Sequence, residues 1–235
     1  MQAGALLTNE PQKKTRRSFV TKHLVTMAHT ILPAIFLYSV SLFSVAAELL
    51  RHTVSVEGHP MALWEKRAEQ PKGTILLLHG RTWSAVPDFD LQVAGEKLSF
   101  MEGLLEKGYT VYALDARGYG GTPRDESGWL TPDRAAKDAT AVLEWIKSNN
   151  NLDSHLFGWS YGSMVSQLVV QRTPNLVSSV TLFGYPYNPS RFVFSERPEY
   201  PKKAPAKSNT AHNAASDFIT PGSISDEAIE AYVKA

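Results

Sequence analysis

His155-Leu-Phe-Gly158-Trp-Ser160-Tyr-Gly162-Ser-Met164 is the stretch that decides the fold of this chain. A short apolar run leads to a serine between two spaced glycines, and helical spacing follows, which predicts a strand, a sharp turn and a helix. Such a turn holds the Ser160 hydroxyl in a strained position above the end of a sheet. Cβ atoms at Gly158 and Gly162 would collide as strand and helix close on each other. Because G-x-S-x-G arises by chance in about one such chain in ten, the rest of the sequence must support it.

The composition is that of a globular protein without unusual partners. The chain has 235 residues, of which 43 % are hydrophobic and 20 % charged. Its 24 basic and 23 acidic residues leave a net charge of +1, which gives no indication of nucleic acid or of an acidic partner. The absence of cysteine excludes disulfides, thiolate nucleophiles and Cys-ligated zinc. No histidine pair or acidic cluster has the spacing of metal ligands, so we expect neither a metal nor a cofactor.

Residues 1–47 differ from the rest of the chain. Basic residues, among them Arg16 and Arg17, precede a mostly uncharged apolar stretch over 24–47 that ends in small residues. This order is typical of a signal peptide, and the paired arginines resemble the twin-arginine export signal. We therefore predict an exported protein, periplasmic or secreted. The stretch is also long enough to span a bilayer, so a retained membrane anchor is the main alternative, and a basic localisation tract is a further one.

Strands and helices are predicted to alternate beyond residue 47. Alternating apolar residues on both sides of Gly58-His59-Pro60 predict a hairpin. Thr131 followed by Pro132 favours the start of a helix. Further strands are predicted over 74–78, 110–114 and 177–183, and helices over 94–105, 132–149, 161–172 and from 225 onward. This alternation predicts an α/β fold with a mostly parallel sheet flanked by helices, in which ligands bind at the carboxyl ends of the strands.

With these elements in place, residues 50–186 resemble the α/β-hydrolase family on its serine-hydrolase side. The resemblance rests on three motifs in the family's order, each after a predicted strand. Leu78-His79-Gly80-Arg81 is similar to its oxyanion element, Asp115-Ala-Arg117-Gly118-Tyr-Gly120 to its D-x-R-G-x-G turn, and Gly158-Trp-Ser160-Tyr-Gly162 to its nucleophile turn. Lysophospholipases, monoglyceride-lipase-like esterases and serine aminopeptidases share this arrangement. The resemblance implies an incomplete α/β-hydrolase core over 48–186, followed by part of a helical cap or lid over 187–235.

The resemblance also implies roles for individual residues. Ser160 would be the nucleophile, and the backbone amides of Arg81 and Tyr161 would form the oxyanion hole. Losing one such amide donor typically costs on the order of 10²–10³ in rate. Other members of the motifs would support the loop and the turn: His79, Gly80, Gly158 and Gly162.

Three polar side chains near the predicted site are expected to be structural. His79 is expected to hold its loop by hydrogen bonds, with a direct catalytic role as the minor alternative. Asp115 and Arg117 are expected to hold their turn rather than to catalyse. A phosphate-binding loop over Gly118–Gly121 is disfavoured because Pro123 occupies the place of the third glycine.

The acid and the base of a catalytic triad are not evident in the sequence. A serine needs a histidine that takes its proton and a carboxylate that orients that histidine, and the family's order is Ser, acid, His. After Ser160 the sequence contains one histidine, His212, and between them only Glu196 and Glu199 as carboxylates. The stretch 191–221 is rich in Pro, Lys, Ser and Asn and predicts an irregular lid. His212 is expected at the surface or packed in that lid, with a role as the catalytic base as the minor alternative. We therefore interpret the chain as the N-terminal part of a serine hydrolase, truncated near the lid, with little activity of its own.

The function that these features predict is cleavage of an ester, and less readily of an amide, through an acyl-serine intermediate. The expected partner is a small or lipid-like ester, and acyl transfer to another acceptor would use the same residues. A non-catalytic binding protein with this fold and a membrane-attached interaction protein anchored through 24–47 remain alternatives. Oligomeric state is not predicted. Several aromatic residues form either an apolar acyl pocket or ordinary core: Trp83, Trp159, Tyr185, Tyr187, Phe192 and Phe194.

Overall fold

The structure is a computed structural model that describes residues 47–185 and 209–235 of the chain. Its strands are β1 Leu50–Val56, β2 His59–Lys66, β3 Thr74–Leu78, β4 Thr110–Leu114, β5 Ser154–Trp159 and β6 Ser179–Phe183. Its helices are α1 Ala85–Phe89, α2 Phe100–Glu106, α3 Pro132–Asn149, α4 Tyr161–Arg172, α5 Ala211–Ala215 and α6 Asp226–Lys234, with a 3₁₀ turn at Pro174–Leu176. The predicted export segment lies outside the described residues apart from Ala47. Within the part that is described, none of the helices combines the length and the apolar character needed to span a membrane.

The six strands form one sheet in the order β1-β2-β4-β3-β5-β6. β2 is antiparallel to both β1 and β4, whereas β4, β3, β5 and β6 run parallel. The predicted α/β architecture with a mostly parallel sheet is therefore confirmed. Because the carboxyl ends of parallel strands meet at one edge, the segments after β3, β4 and β5 come together there.

Alternate residues of the central strands build two hydrophobic layers. Leu76 and Leu156 face α3 and α4, while Leu77 and Val111 face α1 and α2. Burying one such aliphatic side chain contributes about 1.5–3 kcal/mol relative to leaving it exposed. The central strands β3 and β4 are therefore covered by helices on both faces, whereas every residue of β6 at the edge of the sheet is exposed.

The hairpin turn lies one residue earlier than predicted. Glu57 and Gly58 both have positive φ, +50° and +80°, and the strand pairing closes at Val56 opposite His59. A two-residue turn with two positive φ angles has a backbone twist that matches the right-handed twist of the two strands it joins. His59 and Pro60 consequently belong to β2, and the prediction of Gly58-His59-Pro60 as the turn was wrong.

The helix predicted over 94–105 is shorter and later than its periodicity suggested. Gly95 has a φ of +83°, and α2 begins only at Phe100. The Ser99 hydroxyl accepts a hydrogen bond from the Glu102 amide and so caps the helix. The segment predicted as an irregular lid also contains short helix α5, whose cap is the Thr210 side chain.

Two charged side chains at the end of β2 are buried, which the sequence pattern did not predict. Glu65 and Lys66 are each 1 % exposed. The Lys66 ammonium lies 2.7 Å from a Glu102 oxygen and 3.1 Å from an Asp90 oxygen. Arg67 donates two hydrogen bonds of 2.9 Å to the Glu65 carboxylate. Buried charges need such partners, and the Lys66 pairs also hold β2 to α2 and to the segment before it.

Candidate active site

Ser160 lies at the turn between β5 and α4, as the strand–turn–helix pattern predicted. Its φ of +52° and ψ of −110° are strained for a residue other than glycine. Ser160 is exposed, although Gly158 and Gly162 on either side are buried. The turn therefore presents one hydroxyl at the carboxyl edge of the sheet.

The two flanking glycines are required by close backbone packing. A Cβ atom at Gly158 would lie 2.3 Å from the Gly162 carbonyl oxygen, and one at Gly162 would lie 2.1 Å from the Leu78 carbonyl oxygen. Cβ atoms do not tolerate such distances. The glycine pattern that suggested the turn thus has a direct steric cause.

Two buried serines hold the turn, and sequence reasoning missed both. The Ser163 hydroxyl donates to the Gly158 carbonyl at 2.6 Å and lies 2.9 Å from the Phe183 carbonyl. The Ser166 hydroxyl donates to the Gly162 carbonyl at 2.8 Å. In addition, the Ser160 amide donates to the Phe183 carbonyl at 2.8 Å, which ties the turn to the end of β6. Serines are common on helix surfaces, so sequence spacing alone does not distinguish these two.

The loop after β3 lies beside Ser160. Gly80, Arg81, Trp159 and Ser160 line one cavity of about 450 Å³. A Cβ atom at Gly80 would lie 3.0 Å from the Trp159 ring, so glycine allows the loop to approach the turn closely. Over residues 47–185 and 209–235, the backbone amides of Arg81 and Tyr161 have no hydrogen-bond acceptor. Two main-chain donors, one of them on the loop that lines this cavity, are therefore without a partner within these ranges.

His79 is buried and fully engaged in hydrogen bonds. Its Nδ1 lies 2.7 Å from the Gly80 carbonyl, and its Nε2 lies 3.0 Å from the Ala116 amide. The amide can only donate, so Nε2 accepts and Nδ1 carries the proton. Burial lowers the pKa of His79 and favours this neutral form. The side chain joins the loops after β3 and β4.

Asp115 also holds main-chain groups. Its carboxylate accepts hydrogen bonds from the Ala85 amide at 2.7 Å, the Gly121 amide at 2.8 Å and the Trp64 indole at 2.8 Å. A Cβ atom at Gly120 would collide with the same carboxylate at 2.4 Å. These contacts match the expected turn-holding role.

Arg117 forms a buried ion pair. Its guanidinium donates two hydrogen bonds of 2.7 Å to the Asp138 carboxylate on α3. This bidentate pair joins the loop after β4 to a helix of the core, as expected of a residue that holds its turn.

Asp88 on α1 lines the cavity that contains Ser160, and no sequence pattern pointed to it. Its Oδ2 accepts a hydrogen bond of 3.3 Å from the Gly80 amide. Its Oδ1 is buried and has no hydrogen-bond partner within the described ranges. Burial raises the pKa of Asp88 to about 8, although the Gly80 amide acts to lower it, and the carboxylates of Asp217 and Asp115 raise it further. A neutral carboxyl therefore lies in the wall beside Ser160.

A second cavity of about 350 Å³ has an aromatic wall and shares residues with the first. Asp88, Trp159 and Tyr232 line both cavities. The other lining residues of the second cavity are Phe89, Phe100, Phe157 and Phe183. Of the aromatic residues that the sequence suggested, Trp83 and Trp159 line the cavity that contains Ser160. Tyr185 instead donates to Gln167 at 2.9 Å, and Tyr187, Phe192 and Phe194 lie outside the described residues.

No base is joined to Ser160 in the part of the chain that can be described. The Ser160 hydroxyl has no hydrogen bond to any described residue, and His212 is an exposed residue of α5. Glu196 and Glu199 lie outside the described ranges. Among residues 47–185 and 209–235, no group of three or more His, Cys, Asp or Glu side chains is placed to hold a metal ion.

The comparison with known proteins identifies a family. The family model described as alpha/beta hydrolase fold matches residues 73–208. Similar solved structures include the epoxide hydrolase VrEH1 from Vigna radiata, with 24 % identity and a TM-score of 0.47 over 57 % of this chain and 38 % of that one. They also include a predicted CIB-like hydrolase from Thermoplasma acidophilum, with 20 % identity and a TM-score of 0.48 over 59 % and 63 % of the two chains.

A third similar structure is a membrane phospholipase A, described as a bacterial virulence factor. It has 26 % identity and a TM-score of 0.49 over 58 % of this chain and 40 % of that one. The match therefore spans less than two thirds of the length of each of these three structures. No curated protein matches the chain.

Proposed function

Because the chain belongs to the alpha/beta hydrolase fold family, we propose that it is a serine hydrolase that cleaves an ester through an acyl-serine intermediate on Ser160. The observation that carries this proposal is the exposed Ser160 hydroxyl at a strained, glycine-flanked turn, in a cavity shared with the Arg81 loop. A serine nucleophile needs this exposure and this access to main-chain donors.

The chemistry proceeds in two steps. Ser160 Oγ attacks the ester carbonyl carbon while its proton passes to a base, and the carbonyl oxygen becomes negative. The amides of Arg81 and Tyr161 donate to that oxygen. The alcohol leaves with a proton, and water then releases the acid from the serine. Each main-chain donor contributes on the order of 10²–10³ in rate in enzymes of this kind.

The proposed substrate is a small or lipid-like ester with an apolar acyl or aryl group. The aromatic wall formed by Phe89, Phe100, Phe157 and Phe183 supports an apolar group beside Ser160. Ligand pockets are mostly apolar with a few placed polar groups, which is the composition of these two cavities taken together.

Labelling with a fluorophosphonate tests the mechanism. Ser160 Oγ displaces fluoride from phosphorus and loses its proton to solvent, which adds the phosphonyl group, equal to the probe mass less HF, to one peptide. For the complete protein, we expect the label on the peptide that contains Ser160, its loss in Ser160→Ala, and its retention in Ser178→Ala, a control at another exposed serine. Equal labelling of wild type and Ser160→Ala would exclude the mechanism.

A non-catalytic binding protein is the second candidate. It is favoured by the absence of a hydrogen bond from Ser160 Oγ to any histidine among the described residues. In that case the cavity binds its ligand, but Ser160 stays unlabelled at probe concentrations that saturate an active serine hydrolase.

We also propose export through residues 1–47, on the evidence of their basic, apolar and small-residue order. A mature N-terminus at Ala47 or Glu48, measured by intact mass, is the expected result. An unprocessed chain in the membrane fraction would favour the anchor, and with it the membrane-attached interaction protein.

A further inference from the structure

We propose that the side chain of Arg81 is a substrate-recognition group, whose guanidinium binds a singly charged oxygen anion on a ligand in the cavity that contains Ser160. A carboxylate and a phosphodiester both carry such a group. The inference rests on the proposed function in calling that ligand a substrate, and it adds a charge to the ester proposed above. It concerns the guanidinium of Arg81, whereas the proposed oxyanion hole uses only its backbone amide.

The first argument is that Arg81 differs from the other arginines. It is exposed, and its guanidinium has no hydrogen bond or ion pair with any residue of 47–185 or 209–235. Most other arginines in these ranges have a partner: Arg51 the Gly121 carbonyl, Arg67 Glu65, Arg117 Asp138, Arg134 Asp125, and Arg172 Asp133. Arg124 has no such partner there either, but it lines neither the cavity that contains Ser160 nor the aromatic cavity. An accessible arginine without a partner in the described ranges therefore lies in the wall beside the candidate nucleophile.

The second argument is the position of the guanidinium within that cavity. Arg81 and Ser160 both line the cavity of about 450 Å³. Burial raises the pKa of Tyr161, while the positive charge of Arg81 acts to lower it. Because Tyr161 directly follows Ser160, the charge acts on the neighbour of the nucleophile. An anion that binds Arg81 therefore lies close to the ester that Ser160 would attack.

The third argument is the strained bend that follows Arg81. Thr82 has a φ of +67°, which is unusual for a β-branched residue. Its hydroxyl donates a hydrogen bond of 2.6 Å to the Arg81 carbonyl, which stabilises the bend. Backbone strain of this kind is concentrated at functional sites. The bend holds Arg81 beside the cavity.

The charges that line the cavity favour a ligand with one negative charge. Asp88, whose pKa burial raises to about 8, is neutral at pH 7, so Arg81 and Asp217 are the charged side chains among the described lining residues. These two form no ion pair with each other. Asp217 acts on Asp88, whereas Arg81 acts on Tyr161, so the two charges affect different parts of the wall. The side of Arg81 therefore offers one positive charge to a ligand, and Asp217 opposes the entry of a second negative charge.

The remaining surface of the cavity describes the rest of the ligand. The planar guanidinium donates in a fork that matches the two oxygens of a carboxylate or a phosphate group. Apolar side chains line the same cavity, among them Trp83, Leu98 and Phe218. The ligand class is thus an apolar ester that carries one anionic oxygen group near the ester bond.

Three small ligands test the proposal. Phenylacetate and 2-phenylacetamide have nearly the same shape and differ in charge, and methyl benzylphosphonate carries the single charge of a phosphodiester. Titration followed by the indole N–H signals of Trp83 and Trp159, which line the cavity, gives a dissociation constant for each ligand. The readout is the ratio of each anion's constant to that of the amide, and the anion with the lower constant indicates which group the site prefers.

We expect the wild type to bind at least one anion more tightly than the amide. Arg81→Gln should weaken the binding of that anion by roughly 3- to 10-fold, the value of a partly exposed charged contact, and leave the amide unchanged. Arg81→Lys should keep part of the preference, since it keeps the charge but not the fork. Asp217→Asn should bind the anion more tightly. Arg124→Gln, the matched control, should behave as the wild type.

Salt gives a test that needs no variant. Raising the salt concentration from about 0.05 M to about 0.5 M should weaken binding of the anion to the wild type and leave the amide unaffected, because screening acts on the charged contact alone.

Four results would overturn the proposal. They are a wild type that binds the amide as tightly as both anions, an Arg81→Gln variant that keeps the preference, an Arg124→Gln variant that loses it equally, and a wild type that binds neither anion. Labelling of Ser160 is measured separately. A labelled protein without the anion preference would lose only this inference, whereas an unlabelled protein with the preference would lose only the serine mechanism.

Discussion

Gly162 at the start of α4 packs directly on the end of β3, so that a Cβ atom there would lie 2.1 Å from the Leu78 carbonyl oxygen. Gly162→Ala must therefore push α4 away from the sheet or bend the nucleophile turn. We expect a loss of about 1–3 kcal/mol in the free energy of unfolding, measured by urea denaturation. Gly103→Ala is the matched control, because α2 is open around Gly103. That variant should be unchanged or more stable by about 0.4–1 kcal/mol. Equal stabilities for the two variants would contradict the close packing.

His79 gives a second prediction, since its ring joins two loops at the site. Replacing it by Ala leaves the Ala116 amide and the Gly80 carbonyl without their partner, at a cost of about 1–3 kcal/mol for each group that stays buried.

The pH dependence of the His79→Ala effect on stability separates the loss of these hydrogen bonds from the loss of side-chain volume. Burial places the pKa of folded His79 below 6.5, so the unfolded chain binds the extra proton first as pH falls. The stabilisation by His79 is complete above pH 6.5 and declines below it. His79→Ala should therefore cost more at pH 8 than at pH 5. A cost that is the same at both pH values would exclude a buried neutral imidazole.

Much of the sheet and of the nucleophile turn could be predicted because their signals are local. Strands β3 and β4 are continuous apolar runs, and both lie where the sequence placed them. Helix α3 has its Thr131 cap and its Pro132 start, and its apolar positions recur with helical period. The glycines of the serine turn are specified by backbone contacts that no larger residue allows.

What could not be predicted depends on distant packing. Helix α1 has five residues with Pro87 at its third position, so it carries no periodic signal. Asp88 becomes a wall residue only because Tyr232, from the end of the chain, closes the same cavities. Glu65 and Lys66 belong to a strand whose alternating sequence predicts one exposed face. Their burial follows from the covering of β2 on both faces.

Asp88 also makes a prediction about stability. Its pKa in the folded protein, about 8, lies above the ordinary value of 3.8, so the folded state holds a proton that the unfolded state releases. The folded protein consequently loses stability as pH rises from about 4 to about 8. Asp88→Asn removes this titration. It should raise the free energy of unfolding by about 1–3 kcal/mol at pH 8 and by little at pH 4. Asp153→Asn, at an exposed aspartate, is the control and should show no such difference. A destabilised Asp88→Asn protein at pH 8 would refute the neutral carboxyl.

Lys66 provides the last prediction, because its ammonium is buried between Glu102 at 2.7 Å and Asp90 at 3.1 Å. Lys66→Met keeps most of the volume but leaves the carboxylates without their cation, which typically costs about 3–5 kcal/mol for a buried pair. Lys97 pairs with Glu106 at 3.5 Å on the surface, where 89 % of its side chain is exposed, so Lys97→Met should change stability by less than about 1 kcal/mol. Guanidinium denaturation is unsuitable because its salt screens both pairs, and urea is therefore the denaturant to use. If Lys66→Met were as stable as Lys97→Met, the end of β2 would have to be solvated. Asp90, in the segment between α1 and α2, and Glu102 on α2 would then lack the ion pairs that join them to β2.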